Sequence, residues 1–231
     1  MTERKKYELT DEFIEHWSGK KLYRIKALID FGLVVAGSLG GFVESENNLD
    51  HNGNAWVCGN ARVYGNAEVY GNAEVYGDAE VYGNARVYGN ARVYGDAEVY
   101  GNAEVYGNAE VYGNAWVYGN AEVYGDAEVY GNAEVYGNAR VYGNARVYGD
   151  AEVYGNAEVY EQRSVIWFSV VGTENGTLTI YKSKDGSLLA TRGCFSGTVD
   201  EFLAKSAQVH DEKTKREYEL LIEVAKSRIL G

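Results

Sequence analysis

The sequence has little of what several common functional sites require. Its 231 residues include no proline, two cysteines and three histidines. Cys58 and Cys194 form no recognisable disulfide framework or metal-ligand pair. No apolar run approaches the roughly 18 residues of a membrane span, and the start MTERKKYELTDEF lacks the apolar segment of a signal peptide. We therefore expect no membrane segment and a cytoplasmic location.

Positive charge is also scarce. The chain carries 34 acidic residues against 22 lysines and arginines, a formal net charge of −12. Like charges repel, so this balance argues against direct binding to nucleic acid or to anionic membranes. It is compatible with a protein that attracts a basic partner.

Glycine and tyrosine are in excess, at 29 and 21 residues, and this bias indicates an internal repeat. Residues 53–160 are 18 consecutive hexads without an insertion. Each hexad has Gly, then Asn or Asp, Ala, a variable residue, Val and Tyr, and Cys58 is the one exception at the last position. The 24 residues from 83 to 106 return unchanged at 137–160, a shift of 54.

Each hexad predicts one short strand and one corner. Alternation places Ala and Val on one side of the strand and the variable residue and Tyr on the other. Gly and Asn or Asp then form the corner, because they accept positive φ more readily than other residues. Three strands and three corners close a coil of 18 residues, so 53–160 form six coils and the shift of 54 is three whole coils. The open ends of such a rod need caps.

The unbroken spacing of Val and Ala resembles that of the hexapeptide-repeat, left-handed parallel β-helix family. The resemblance implies a mainly β fold with six 18-residue coils. Many members are acyltransferases that work as trimers with a histidine base near a subunit boundary. Here His51 is the sole candidate base, because no histidine lies within the hexads, and a smooth rod offers no pocket. We therefore expect a protein that is not an enzyme and has no cofactor or metal, with acyltransfer as the alternative.

The flanking segments are predicted to be the caps. Residues 1–52 form the amino-terminal cap, with a helix in LTDEFIEHW (9–17), a strand in LYRIKALI (22–29) and a turn region in VAGSLGGFVE (35–44). Residues 161–231 form a carboxy-terminal α+β module. Its predicted strands are SVIWFSVVG, TLTIYKSK and SLLATRG, with a turn at KDG, and its predicted helices are TVDEFLAKSAQVH and KTKREYELLIEVAKSRIL.

An 18-residue coil places every third hexad on one face of the rod. On two faces the arginines lie one coil away from glutamates, which neutralises the charge. The third face carries seven carboxylates against one arginine, Arg62, together with the only tryptophan in mid-rod. We call these eight residues the acidic face: Asp78, Glu80, Asp96, Glu98, Trp116, Glu134, Asp150 and Glu152.

We predict that the acidic face binds a basic protein surface, because tryptophan is a frequent energetic anchor of interfaces. The alternative is that the row only keeps the rod soluble. A homo-oligomer through an end module or a rod face is also expected, and a self-assembling structural protein is a further alternative.

Two other segments carry a second resemblance. Residues 23–67 and 193–229 resemble parts of hexapeptide-repeat and accessory proteins encoded by bacteria and their phages. The resemblance implies a phage or prophage accessory protein that acts on a host factor in the host cytoplasm. It carries no catalytic residue over to this chain. The regularly spaced carboxylates of the acidic face leave open an inhibitor that mimics DNA, because they imitate rows of phosphates.

Overall fold

A computed structural model describes residues 5–183 and 185–231. The fold is mainly β: a parallel β-solenoid of about seven turns lies between a small amino-terminal sheet and a carboxy-terminal sheet with two helices. This confirms the predicted fold class. In the described part of the chain no helix has the length and apolar character needed to cross a membrane.

The amino-terminal sheet is formed by three strands, β1 (Tyr7–Glu15), β2 (Lys21–Ala27) and β3 (Leu39–Val43). Eighteen two- to four-residue strands follow, one in each hexad. They are β4 (Trp56–Val57), β5 (Arg62–Val63), β6 (Glu68–Val69), β7 (Glu74–Val75), β8 (Glu80–Val81), β9 (Arg86–Val87), β10 (Arg92–Val93), β11 (Glu98–Val99), β12 (Glu104–Val105), β13 (Glu110–Gly113), β14 (Trp116–Val117), β15 (Glu122–Val123), β16 (Glu128–Gly131), β17 (Glu134–Val135), β18 (Arg140–Val141), β19 (Arg146–Val147), β20 (Glu152–Val153) and β21 (Glu158–Val159).

The rod strands form three parallel sheets in which each strand pairs with the strands one coil before and one coil after it. Arg92, for example, is the register partner of Glu74 on one side and of Glu110 on the other. Residues 18 apart therefore lie over one another, as the hexad pattern predicts. One of the three sheets also contains β3, β2 and β1, so it runs on into the amino-terminal segment.

The hexad alternation determines what the rod buries. Every Ala and Val of the hexads is fully buried and belongs to one continuous core. The corners need glycine for two separate reasons, which Gly101 illustrates. Its φ is +74°, and a Cβ there would lie 3.0 Å from the backbone N and O of Gly119 in the next coil.

The tyrosines form stacked columns along the outside of the rod. Neighbouring rings in a column are nearly parallel, with centroids 4.8 Å apart for Tyr70 and Tyr88. Many hydroxyls also donate a hydrogen bond to the glutamate of the next coil, as Tyr82 does to Glu98 over 2.8 Å. Each coil is thus joined to the next by backbone hydrogen bonds, ring stacking and a charge-assisted side-chain hydrogen bond.

The amino-terminal segment differs from the sequence prediction at two places. The helix predicted over 9–17 is wrong: residues 7–15 form β1, which pairs antiparallel with β2, and the pairing overrides the helical spacing of the apolar residues. The turn region predicted over 35–44 contains β3, which pairs parallel with β5. Gly40 and Gly41 are needed there because a Cβ at either would meet a backbone oxygen of the first coils at 2.6 Å.

Strand β3 and a bridge between Leu49 and Val69 add one turn ahead of the first hexad. The side chains of Lys6 and Tyr7 cover the end of the first coil. The Lys6 ammonium donates to the Ala55 carbonyl over 2.8 Å, and burial lowers the pKa of Lys6 to about 8. Trp56 is buried against this cap, in edge contact with Phe31.

The carboxy-terminal module contains four antiparallel strands and two helices. They are β22 (Val165–Val171), β23 (Gly176–Lys182), β24 (Leu188–Arg192), β25 (Phe195–Thr198), α1 (Val199–Val209) and α2 (Glu212–Leu230). The three predicted strands and both predicted helices are confirmed, and β25 was not predicted. Thr198 caps α1 by accepting a hydrogen bond from the Glu201 amide. Lys184, at the end of a predicted strand and the start of the predicted turn, lies outside the described residues, as do residues 1–4 of the predicted amino-terminal cap.

This module covers the last coil of the rod. The Tyr181 hydroxyl donates to the Tyr154 carbonyl over 3.0 Å, and the Thr191 hydroxyl donates to the Glu152 carbonyl over 3.1 Å. Tyr181 is fully buried and belongs to the same core as the hexads. Both ends of the rod are therefore closed by side chains of this same chain.

The close approach of the corners predicts that glycine-to-alanine substitutions destabilise the rod more at crowded corners than at open ones. Gly101→Ala should lower the free energy of unfolding by about 2 kcal/mol or more, because it combines an unfavourable φ with a backbone clash. Gly155→Ala is the matched control, since Gly155 has a φ of +72° but no atom within 4 Å of the added Cβ. Denaturant unfolding should show the smaller loss for Gly155→Ala. Equal losses would contradict the close-approach argument.

The tyrosine columns predict steep unfolding in alkali. Burial and the accepting glutamates raise the pKa of the donating tyrosines, to about 12 at Tyr112. The folded state therefore holds these protons more tightly than the unfolded state, so stability is intact below about pH 10 and falls as the pH rises beyond it. Circular dichroism and tyrosinate absorbance should change together in one transition. A gradual tyrosine titration near pH 10 with no loss of structure would contradict this account.

Candidate functional site

The outward residues of the acidic face form one straight row. Glu80, Glu98, Trp116, Glu134 and Glu152 are successive register partners in the longest sheet. The structure thus brings together the five strand residues that the sequence assigned to this face. Their spacing is set by the parallel ladder, so the row is as rigid as the rod itself.

The three aspartates of the acidic face occupy the corners of the same hexads. Asn60 donates its side-chain amide to Asp78 over 3.1 Å, and Asn132 donates to Asp150 over 3.0 Å. An aspartate side chain has no N–H to donate to the next coil. The ladder of side-chain hydrogen bonds therefore stops between Asp78 and Asp96. Asp78 and Asp96 lie one coil apart, as the hydrogen bond from the Asp78 amide to the Gly95 carbonyl shows, and two ionised carboxylates cannot hydrogen-bond to each other.

The two ends of the row are covered by neighbouring parts of the chain. Glu80 forms an ion pair with Arg62, and the His16 Nε2 lies 3.6 Å from its carboxylate. At the other end Glu152 lies beneath the carboxy-terminal sheet. Burial raises the pKa of Glu152, and the neighbouring Glu134 raises it further, whereas Arg192 opposes the shift.

The centre of the row is open, and no cation of the described residues pairs with its carboxylates. Trp116 is 41% exposed and lies between Glu98 and Glu134. Each of these carboxylates accepts a tyrosine hydroxyl, from Tyr82 over 2.8 Å and from Tyr118 over 2.9 Å. No lysine or arginine among residues 5–183 and 185–231 forms an ion pair with either of them.

The other two faces show the contrast. Arg92 lies 3.5 Å from the Glu74 carboxylate and 3.6 Å from that of Glu110, one coil away on each side. Arg86 pairs in the same way with Glu104 over 3.2 Å. The centre of the acidic face is therefore the stretch where the repeat retains its carboxylates but omits the arginine that balances them elsewhere.

His51, the one candidate base in the sequence, serves the amino-terminal cap. Its ring stacks on Tyr7 at 4.4 Å, and its Nδ1 accepts a hydrogen bond from the Lys6 amide over 3.2 Å. These contacts hold the first residues of β1 against the end of the rod. Within the described part of the chain, no group of three or more His, Cys, Asp or Glu side chains has the arrangement of a metal site.

Comparison with known proteins assigns the type of repeat. The model of a family described as YdcK beta solenoid repeat matches the rod at residues 55–71, 79–95, 85–101, 133–149 and 139–155. None of the curated proteins compared with the chain matches it. The match and the observed sheets agree that this is a β-solenoid repeat protein.

Sequence reasoning missed the groups that close the two ends of the row. His16 was assigned to a helix, so nothing placed it beside Glu80. Arg192 lies 40 residues beyond Glu152, and no pattern in the sequence signals that β24 folds back over the last coil. Local patterns give the register of the rod, but they do not say how the caps dock on it.

The interrupted corner ladder predicts a stabilising substitution. Asp78→Asn with Asp96→Asn should restore the amide donors and remove a like-charge pair, raising the free energy of unfolding by about 1 kcal/mol. Asp126→Asn is the control, because Asp126 ends another corner ladder without an aspartate one coil away and should gain less. Thermal unfolding measures both. A double variant no more stable than the parent would show that the ladder does not extend through this corner.

Proposed function

We propose that this protein is a rigid docking protein that binds a basic protein surface through the centre of its acidic face. The observation that carries the proposal is the arrangement of Glu98, Trp116 and Glu134: an exposed indole between two carboxylates that pair with no arginine or lysine in the described part of the chain. Elsewhere in the rod the same position holds paired charges.

A row of like charges lowers stability unless something compensates for it. A partner that supplies arginines or lysines would compensate for it on binding, and the guanidinium of an arginine could also stack on the Trp116 ring. The parallel ladder fixes the backbone of the row, and the Glu98 and Glu134 carboxylates already accept tyrosine hydroxyls, so these carboxylates lose little freedom when a partner binds. Rigidity and charge complementarity together favour a fast and selective association.

The chemistry favours a partner that itself binds acidic polymers. Carboxylates at regular intervals along a stiff rod present a negative row of the kind that a nucleic-acid-binding protein accepts. The resemblance of the rod to left-handed hexapeptide-repeat proteins, and of the end segments to phage proteins, supports an accessory role for a phage or prophage in the host cytoplasm. The proposed partner is then a basic host protein.

The structure of the two caps is relevant to the alternative functions, self-assembly and acyltransfer. Side chains of the chain itself cover both ends of the rod, which disfavours assembly by stacking rod on rod. Any homo-oligomer would instead use a rod face or the outer surface of an end module. His51 is engaged within the amino-terminal cap, so its contacts give no support to acyltransfer.

The test compares two pairs of neutral substitutions on different faces. Glu98→Gln with Glu134→Gln removes two charges from the acidic face. Glu104→Gln with Glu122→Gln is the matched control, since these glutamates also accept tyrosine hydroxyls but lie beside Arg86 and Arg140. The immobilised protein captures proteins from a lysate of the host cell, and the Kd of each purified partner is measured in about 0.15 M salt.

A basic protein should be captured by the parent and by the control pair. The acidic-face pair should raise its Kd about 10-fold or more, while the control pair should change it less than about 3-fold. Trp116→Glu, which restores the commonest residue of the repeat, should also weaken binding. Capture of no protein, or equal weakening by both pairs, would overturn the proposal.

A further inference from the structure

A cavity of about 260 Å³ lies in the carboxy-terminal module, at the end of β24 and against both helices. Its polar lining includes Arg192, Lys205, His210 and Tyr218, and Cys194 lies at its edge. The volume is close to the lower limit for pockets that hold small molecules. Apart from the effect of Arg192 on Glu152, the cavity has no part in the proposed docking function.

Arg192 is the main charged group of this cavity and is incompletely compensated. Its side chain is only 12% exposed. One terminal nitrogen donates to the Val171 carbonyl over 3.2 Å, and the Nε has no hydrogen-bond partner among the described residues. The nearest carboxylate is that of Glu174 at 3.9 Å, whose side chain is 84% exposed, and Glu152 acts on it from farther away. A buried guanidinium with so few partners is costly to maintain without an anion.

The hairpin between β22 and β23 is shaped to hold this arginine and a tyrosine. A Cβ at Gly176 would overlap the Arg192 guanidinium, and a Cβ at Gly172 would overlap the Tyr218 hydroxyl. The two glycines therefore leave room for the Arg192 guanidinium and the Tyr218 hydroxyl, and both residues line the cavity. The Tyr218 side chain is otherwise buried, and it packs edge-on against Phe202 at 4.9 Å.

The rest of the lining adds a second cation and an apolar wall. Lys205 lies over the Phe195 ring with its ammonium 5.3 Å from the ring centre, and Phe195 and Phe202 contact each other edge to face. His210 shares a hydrogen bond of 3.1 Å with Ser206, whose side chain is buried. The cavity thus combines an arginine and a lysine with a hydrophobic surface, and among the described residues that line it only the exposed Glu174 is acidic.

We propose that this cavity binds a small organic carboxylate. The carboxylate pairs with Arg192 and Lys205, because the planar guanidinium matches the geometry of a carboxylate. The apolar body of the ligand packs against Phe195 and Phe202. The ligand adds negative charge beside an arginine that the exposed Glu174 and the more distant Glu152 compensate only in part, so binding stabilises the carboxy-terminal module.

Cys194 provides a local reporter of binding. It is exposed at the edge of the cavity, and Cys58 is the only other cysteine. In a Cys58→Ser background, the rate of alkylation of Cys194 by iodoacetamide therefore reports on this site alone. Benzoate is the probe, and benzamide is its neutral control of the same shape. Benzoate at millimolar concentration should slow alkylation about 5-fold or more and raise the melting temperature, whereas benzamide should do neither.

Two substitutions distinguish loss of binding from loss of folding. Arg192→Met removes the charge and should abolish protection by benzoate. Lys205→Ala lies on the exposed side of α1, where folding should be unaffected, and it should weaken protection about 5-fold. Inorganic phosphate is then added as a competitor of benzoate. A site selective for carboxylates should keep its protection by benzoate, whereas a general anion site should lose it. Absence of protection in the parent, equal protection by benzamide, or benzoate protection unchanged by Lys205→Ala would overturn the proposal.

Discussion

Each residue of the rod lies over the residue 18 positions away, and the rest of the structure depends on this register. Glycine makes it available, because the corners turn at positive φ and approach the next coil so closely that a Cβ at Gly101 would lie 3.0 Å from its backbone. Once the coils are that close, Ala and Val fill the interior and the tyrosine rings meet at stacking distance. The backbone ladder, the packed interior and the outer columns are therefore consequences of one geometric repeat.

The same register determines how charge is arranged on the surface, because the variable residues of every third hexad lie on one face of the rod. Because the hexads differ mainly at the variable position, the faces differ in how Glu and Arg alternate along the rod. Two faces intersperse the two signs, and the third leaves Glu98 and Glu134 on either side of an exposed tryptophan. The proposed docking surface needs no loop or pocket, because it differs from the rest of the rod in the residues at the variable and corner positions of its hexads.

Much of the rod could be predicted from the sequence, and much of the caps could not. The hexads specify strand, corner and facing residue within six positions, and closing three hexads into one coil placed the residues from Glu80 to Glu152 in a single row. The helix predicted around Phe13 was wrong because pairing with β2 decides the structure of that segment. The contacts of His16 with Glu80, and the cavity around Arg192, join residues distant in the chain, and no periodicity records them.

The most direct measurement of the register uses paired pyrene labels on cysteines introduced in a Cys58→Ser, Cys194→Ser background. Arg92→Cys with Glu110→Cys places the labels one coil apart in a single row, about 5 Å between neighbouring strands. Arg92→Cys with Glu104→Cys places them 12 residues apart, on different faces. The structure predicts strong excimer emission from the first pair and monomer emission from the second. Excimer emission from the second pair, or from neither, would contradict the 18-residue coil.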